Sequence, residues 1–214
     1  MYLLCAATEL EIAPFRRFLA GSGREKDWNV LVTGVGLLPA AVRISRWLAV
    51  HRPAFVLQAG VAGSLDPTLP LGSAWLVGRE RPGDAGVLEN GRFRTLSELG
   101  LQPPGEAPWE GDWLPNDPAT LSRFGLPVRD GVTVQEITTA PGRMDLYRGW
   151  SAALESLEGA ALHFAARLEG IPFLQVRTLS NYVGERDKRA WKLAEAVRVL
   201  NDTLQHLITQ HFPV

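Results

Sequence analysis

The chain alternates short, mainly apolar runs with segments whose apolar residues return every three or four positions. The first pattern predicts buried strands and the second amphipathic helices. Strand-like runs cover Tyr2–Ala7, Trp28–Thr33, Ala54–Ala59, Leu71–Val77, Pro127–Val134 and Ile171–Leu179. Thr8-Glu-Leu-Glu11 has the Ser/Thr-x-x-Glu form that satisfies the free amides of a helix start, so a helix should run to about Leu19 and stop at Gly21-Ser-Gly23. A second helix is expected from about Pro39 to Val50, with proline in a first turn where its missing N–H does no harm. Behind Glu158, the residues Leu157, Ala161, Phe164, Ala165 and Leu168 keep helical spacing until Gly170 ends the segment. Leu193, Val197, Leu200, Leu204, Leu207 and Ile208 define a last helix, for which Asp187 is the expected cap. This alternation predicts an α/β chain, a mixed sheet flanked by helices on both faces.

From Arg79 to about Leu126 the pattern breaks. Proline and glycine are frequent, Trp109 and Trp113 stand in polar surroundings, and no apolar stretch could build a core of its own. Residues 80–125 are therefore expected to be an irregular excursion within one domain spanning 1–214.

Charge narrows the partners. With 22 basic and 23 acidic residues and its few Arg-rich patches diluted by acids, the chain has nothing that favours nucleic acid or an anionic membrane surface as a partner. The lone Cys5, inside an apolar run, should be a buried thiol in a reducing compartment. The start of the chain has no basic leader, Glu9 and Glu11 interrupt the first apolar stretch, and no run approaches the roughly 20 residues of a transmembrane helix. A cytoplasmic protein is expected.

Candidate chemistry is equally restricted. There is no CxxC, HExxH or close histidine pair, and His51, His163, His206 and His211 scatter over helical segments, so no metal site is expected. No GxSxG elbow or phosphate-binding Walker loop is present. Gly34-Val-Gly36 begins like a dinucleotide fingerprint, but Pro39 stands where a third glycine belongs and no acidic residue follows about 20 positions on. A tight turn carrying backbone amides near a ligand is the better reading, and Gly60-Val61-Ala-Gly63 reads likewise. What remains is carboxylate and amide chemistry: Glu9, Glu11, Glu158, and Asn181 where a strand ends, the place where open α/β sheets put ligands.

These residues carry a resemblance. Ala7-Thr-Glu-Leu-Glu11, Thr33-Gly-Val-Gly36, Ala59-Gly-Val-Ala-Gly-Ser-Leu65, Glu155-Ser-Leu-Glu-Gly-Ala160 and Val176-Arg-Thr-Leu-Ser-Asn181 resemble, in order, the motifs of the nucleoside phosphorylase/nucleosidase superfamily. Ser97-Glu-Leu-Gly-Leu101, Asn181-Tyr-Val-Gly-Glu-Arg-Asp187 and Trp191 are most similar to its futalosine hydrolases of menaquinone biosynthesis. The resemblance implies a cofactor-free nucleosidase acting on a small nucleoside, with Glu158 on the ribose hydroxyls and Glu11 activating water. It also implies a substrate pocket lined by Leu157 under the ribose, Val61 near the base, and Gly60, Ile137 and Thr138. Asn181 replaces the aspartate of adenine-specific relatives; its amide can donate to N7 or O6 but cannot protonate, which points to a 6-oxopurine. Trp191, with Arg186, Lys188 and Arg189 nearby, falls where relatives line the pocket of the 5′ group, and relatives complete that pocket from a second subunit, which implies a homodimer or larger homo-oligomer. A methylthioadenosine/S-adenosylhomocysteine nucleosidase, a purine nucleoside phosphorylase and a non-catalytic nucleoside-binding module stay open as alternatives.

Overall fold

The computed structural model describes residues 1–102 and 105–212. In chain order the elements are β1 (Tyr2–Ala6), α1 (Glu9–Gly21), β2 (Trp28–Val32), α2 (Leu37–Val50), β3 (Val56–Ser64), β4 (Ala74–Pro82), β5 (Gly86–Glu89), β6 (Arg92–Thr95) and β7 (Leu114–Pro115). They continue with α3 (Pro118–Ser122), β8 (Val128–Thr133), α4 (Pro141–Gly149), β9 (Ala152–Ser156), α5 (Gly159–Glu169), β10 (Phe173–Tyr182) and α6 (Leu193–His211).

The sheet is organised by β3. Along one edge it pairs in parallel with β10 over its whole length. Its other edge is shared: β1 takes Val56–Ala59, and β9 runs antiparallel against Gly63 and Ser64. Through β10–β4, β4–β8 and β8–β9 the pairing returns to β3, so five strands close into a ring with β1 and β2 as a wing. The edge of β3 at Gly60–Ala62, between the end of β1 and the start of β9, has no strand partner, and the site forms there.

Alternation along the strands sends side chains to opposite faces. Leu4, Leu57, Leu174 and Val176 meet Ile12, Phe15, Leu200 and Leu204 of α1 and α6. Leu3, Cys5, Val56 and Phe173 meet Ile44 and Leu48 of α2 and Leu162 and Ala166 of α5. Burial pushes the Cys5 thiol well above its ordinary pKa, as suits a packing residue.

The mixed sheet flanked by helices agrees with the sequence pattern, and several details differ. Strand β3 does not stop at Ala59 but runs through the glycines to Ser64, and β10 continues past Leu179 to Tyr182 with a register shift between Leu179 and Asn181. The expected strand at 71–77 lies instead at Ala74–Pro82. Residues 80–125, expected to be irregular, hold the end of β4, the β5–β6 hairpin, β7 and α3; within this stretch Pro103 and Pro104 lie outside the described residues. On α5 the apolar stripe is displaced: Phe164 and Leu168 are exposed while Ala161, Leu162, His163, Ala165 and Ala166 are buried. Asp187 caps a short 3₁₀ turn at Lys188–Ala190, and α6 starts only at Leu193. No described helix is long and apolar enough to cross a membrane.

Candidate active site

Thr8 caps α1 as the sequence predicts, with the reciprocal capping box formed. The box also fixes a carboxylate. Glu11 Oε2 accepts from the Thr8 amide at 3.0 Å and from its hydroxyl at 2.9 Å, while Oε1 accepts from the Val61 amide at 3.1 Å. That amide belongs to the unpaired edge of β3, so the gap between β1 and β9 is what lets Glu11 dock on the sheet. Behind it, Pro14 stands inside α1, and the buried Asn201 of α6 fills the resulting irregularity. Its amide donates to the Glu11 carbonyl at 2.8 Å, and its Oδ1 accepts from the Phe15 amide at 2.8 Å. Glu11 is thereby held through both its side chain and its backbone.

Glu158 opens α5 from the end of β9. Its Oε1 accepts from the Gly36 amide at 2.9 Å, and Oε2 lies 3.6 Å from Arg177 Nη1. The expectation that Gly34-Val-Gly36 offers its amides to a ligand is thus modified: the Gly36 N–H holds a carboxylate of the site, in a turn where both glycines have positive φ. Gly60 is corrected in the same way. A Cβ there would run into Arg177 Nη1, so this glycine makes room for the arginine and does not line the cleft.

Arg177 is the residue the motif reading passed over. It is fully buried on β10, donates to the Val61 carbonyl at 3.3 Å, and stands beneath both Glu11 and Glu158. A charge inside the apolar run Val176–Leu179 was the available signal, since unpaired buried arginines are rare. Farther back, the buried Glu80 accepts from Gln175 Nε2 at 2.9 Å and Thr133 Oγ1 at 3.0 Å, and Thr133 Oγ1 in turn accepts the Ala160 amide at 2.7 Å. A Cβ on Gly159 would collide with Glu80, which explains the glycine that follows Glu158. Burial pushes the Glu80 carboxyl up to about 7, against the pull of Gln175, Arg177 and Thr133. His163 is held neutral, its pKa pushed down to about 3 by burial, with Nδ1 facing the Leu114 carbonyl at 2.7 Å.

The cleft above these groups has a volume of about 320 Å³ and is walled mainly by apolar groups. Glu11, Val61, Ile137, Leu157, Glu158, Asn181 and Trp191 of the expected set come together in it. Thr138 does not: it is buried behind Ile137, with its amide donating to Glu155 Oε1 at 3.2 Å. Asn181 lies within β10 rather than beyond its end; its Oδ1 accepts from the Ser180 hydroxyl at 2.8 Å and Nδ2 donates to the Tyr182 carbonyl at 3.0 Å. Trp191 is fastened by an N–H bond to the Glu185 carbonyl at 3.1 Å, with the Arg186 guanidinium 5.6 Å from its ring. Arg186 lines the cleft, whereas Arg189 is paired with Asp187 at 2.6 Å and Glu9 with Arg16 at 2.8 Å on the surface. Among the described residues no cluster of three His, Cys, Asp or Glu could hold a metal.

The family model of the phosphorylase superfamily matches residues 5–210. A futalosine hydrolase of Thermus thermophilus is 33% identical, over 98% of this chain and 96% of that protein. One of Streptomyces coelicolor is 31% identical over 84% of this chain and 78% of its own length. Among solved structures, the native futalosine hydrolase of Helicobacter pylori strain 26695 superposes with a TM-score of 0.81 at 15% identity, covering 98% of this chain and 97% of that one. The 5′-methylthioadenosine/S-adenosylhomocysteine nucleosidase of the same organism, in complex with a substituted pyrrolidin-3-ol, gives 0.79 at 13%, over 98% and 97%. At these identities the structural likeness speaks for the fold.

Proposed function

The chain belongs to the phosphorylase superfamily, and we propose that, like its futalosine hydrolase relatives, it hydrolyses the N-glycosidic bond of futalosine to release hypoxanthine. One observation carries the assignment of roles. Two carboxylates far apart in sequence, Glu11 and Glu158, are fixed by backbone amides, Glu158 also by Arg177, in one cleft that also holds Asn181.

Cleavage builds oxocarbenium-like positive charge on the ribose, so the site must hold the sugar, place water and stabilise the leaving base. An ionised carboxylate has about four acceptor positions. Glu158 uses one on Gly36, which leaves room for the ribose hydroxyls, and its negative charge favours the developing cation. Three positions on Glu11 are occupied by Thr8 and Val61, and the last, on Oε1, accepts a proton from water as the water oxygen bonds to C1′. The electron pair of the broken C1′–N9 bond leaves with the base. Asn181 stabilises that charge by hydrogen bonding at N7 or O6, and solvent supplies the proton that the amide cannot give. Leu157 and Val61 add apolar walls, and Trp191 and Arg186, which also line the cleft, suit the 5′ group.

Around the mouth, Leu10, Val35 and Ile137 are 65%, 57% and 46% exposed, and Leu38 in the first turn of α2 is 70% exposed. A rim this apolar supports a homodimer whose second copy covers it, checked by light scattering. Menaquinone biosynthesis in the cytoplasm is the setting that the reading implies. The test is a comparison of initial rates of base release from futalosine, inosine and methylthioadenosine, in which futalosine should have the highest kcat/KM. A preference for methylthioadenosine would overturn the substrate assignment.

A further inference from the structure

Glu80 stands outside the cleft, yet its hydrogen bonds lead to the residue that meets the ribose. Its Oε2 accepts from the Thr133 hydroxyl at 3.0 Å, and the same Thr133 oxygen accepts the Ala160 amide at 2.7 Å. The Gly159 amide donates to Ser156 Oγ at 3.2 Å, and the Glu158 carbonyl accepts from Gln58 Nε2 at 3.3 Å. Two free amides that open α5 are thus held by side chains, and Glu80, packed against Gly159, orients the hydroxyl that holds one of them. Glu158 directly precedes this turn, so the aim of its carboxylate toward Gly36 and Arg177 depends on it.

The other side of Glu80 does not balance in the same way. Oε1 accepts from Gln175 Nε2 at 2.9 Å, and Gln175 Oε1 has no hydrogen-bond partner among the described residues. The buried ring of His163 lies within reach of the same amide. Its Nδ1 faces the Leu114 carbonyl at 2.7 Å and therefore carries the proton of the neutral imidazole, so Nε2 is a bare acceptor, also without a partner. Two buried acceptors on neighbouring side chains are left unpaired, which folded interiors avoid. A half-turn of the Gln175 amide about its last bond pairs both. Nε2 then donates to His163 Nε2, and Oε1 faces Glu80 Oε1, an arrangement that holds when the acid carries a proton and donates it. Thr133 keeps its bond to Oε2 throughout.

The charges around Glu80 favour the same state. Arg177 from β10 and Glu158 from the start of α5 face it, with His163 of α5 beyond Gln175, while β8 contributes the uncharged Thr133. An ionised Glu80 repels Glu158 and competes with it for Arg177. We propose that Glu80 is a positioning residue for Glu158: as the neutral acid it donates to the turned Gln175 amide, which donates on to His163, and through Thr133 it braces the turn that aims Glu158 at the ribose. Ionisation turns the amide back and sets a second carboxylate against Glu158. The inference rests on the nucleosidase reading above, and it adds a control of ribose binding by a group that never touches substrate.

Rates and spectra test the two separately. Burial pushes the Glu80 carboxyl up to about 7, so kcat/KM for hypoxanthine release from futalosine should fall at least about 5-fold from about pH 6 to about pH 8. Glu80→Met keeps the bulk and removes the hydrogen bonds, and at about pH 6 it should lose at least about 10-fold in kcat/KM. Glu80→Gln supplies a donor for Gln175 and an acceptor for Thr133, as the neutral acid does, so it should recover most of that loss and show no fall toward pH 8. No recovery, or a fall in Glu80→Gln with the native midpoint, would overturn the proposal. Nitrogen-15 NMR of the histidine rings reads the relay in native protein, whether or not either variant folds. His163 is recognised as the ring that stays neutral in mild acid, since burial pushes its pKa down to about 3. Its Nε2 signal should show an accepted hydrogen bond below about pH 7 and lose it above, with the midpoint of the rate profile; a constant signal would overturn the relay. Native protein that releases no hypoxanthine would overturn the nucleosidase reading and the ribose role together, while the NMR signal still decides the Glu80–Gln175–His163 chain.

Discussion

Replacing Glu11 by glutamine is usually treated as a change of charge alone, and here the geometry makes it more. Three donors converge on this carboxylate: the Thr8 amide, the Thr8 hydroxyl and the Val61 amide. A glutamine has one oxygen and one NH₂. If its oxygen faces Val61, the NH₂ faces Thr8, whose hydroxyl can turn to accept but whose backbone N–H cannot. If it is flipped, the Val61 N–H loses its acceptor. One largely buried backbone N–H is left unsatisfied either way, at about 1–3 kcal/mol. For a chain of this size 1 kcal/mol moves Tm by about 2–4 °C, so Glu11→Gln should melt roughly 2–12 °C lower. Its turnover should fall by about 100-fold or more, the usual loss with a general base. Thr8→Ala supplies the comparison: removing the cap costs about 1 kcal/mol but leaves the carboxylate in place. Calorimetric Tm and steady-state kcat on both variants separate the effects. Should Glu11→Gln lose stability as calculated yet turn over within about 10-fold of native, Glu11 is a cap and not a base, and the mechanism is wrong.

Other consequences can be checked alongside. Asn201→Leu strands the Glu11 carbonyl and the Phe15 amide together, at about 1–3 kcal/mol each, and urea unfolding should show a loss of roughly 2–6 kcal/mol; a loss under about 1 kcal/mol would mean that the helix re-forms its own bonds. Because the folded pKa of Glu80 lies near 7, above its ordinary 4.5, the fold favours its protonated form. Native stability should therefore decline relative to Glu80→Gln as pH rises from about 4.5 through 7, and parallel stability curves would contradict the raised pKa. Trp191→Ala should lower kcat/KM for futalosine more than for inosine, by about 1–3 kcal/mol if a ring contact with the 5′ group is lost; equal losses would assign Trp191 to packing.

Much of the architecture was legible in the chain because local chemistry and tertiary structure agree. The Thr8–Glu11 box, the branched strand residues around Val176 and the stripe Leu200–Leu204–Leu207 are each readable from neighbours in sequence. Where neighbours mislead, the reading failed. Ala152-Ala-Leu-Glu-Ser156 consists largely of residues comfortable in helices, yet it is a buried strand, since its place between β8 and β3 overrides propensity. The displaced stripe of α5 has a similar cause: the helix is packed against α2 and the sheet while Phe164 reaches Trp109 in the 80–125 region, so no single apolar face was available to read. Gly60 looked like a ligand-facing turn, but it makes room for the buried Arg177, as Gly159 does for the buried Glu80, and each of these side chains approaches from a distant strand.

The central claim is hydrolysis of futalosine by water, and product analysis tests it most directly. Purified protein is incubated with futalosine with and without inorganic phosphate, and both the released base and the sugar fragment are identified by mass. The account predicts one hypoxanthine for each futalosine consumed, an unphosphorylated sugar product, and the same rate in both buffers. No hypoxanthine, or a sugar 1-phosphate formed only when phosphate is present, would contradict it.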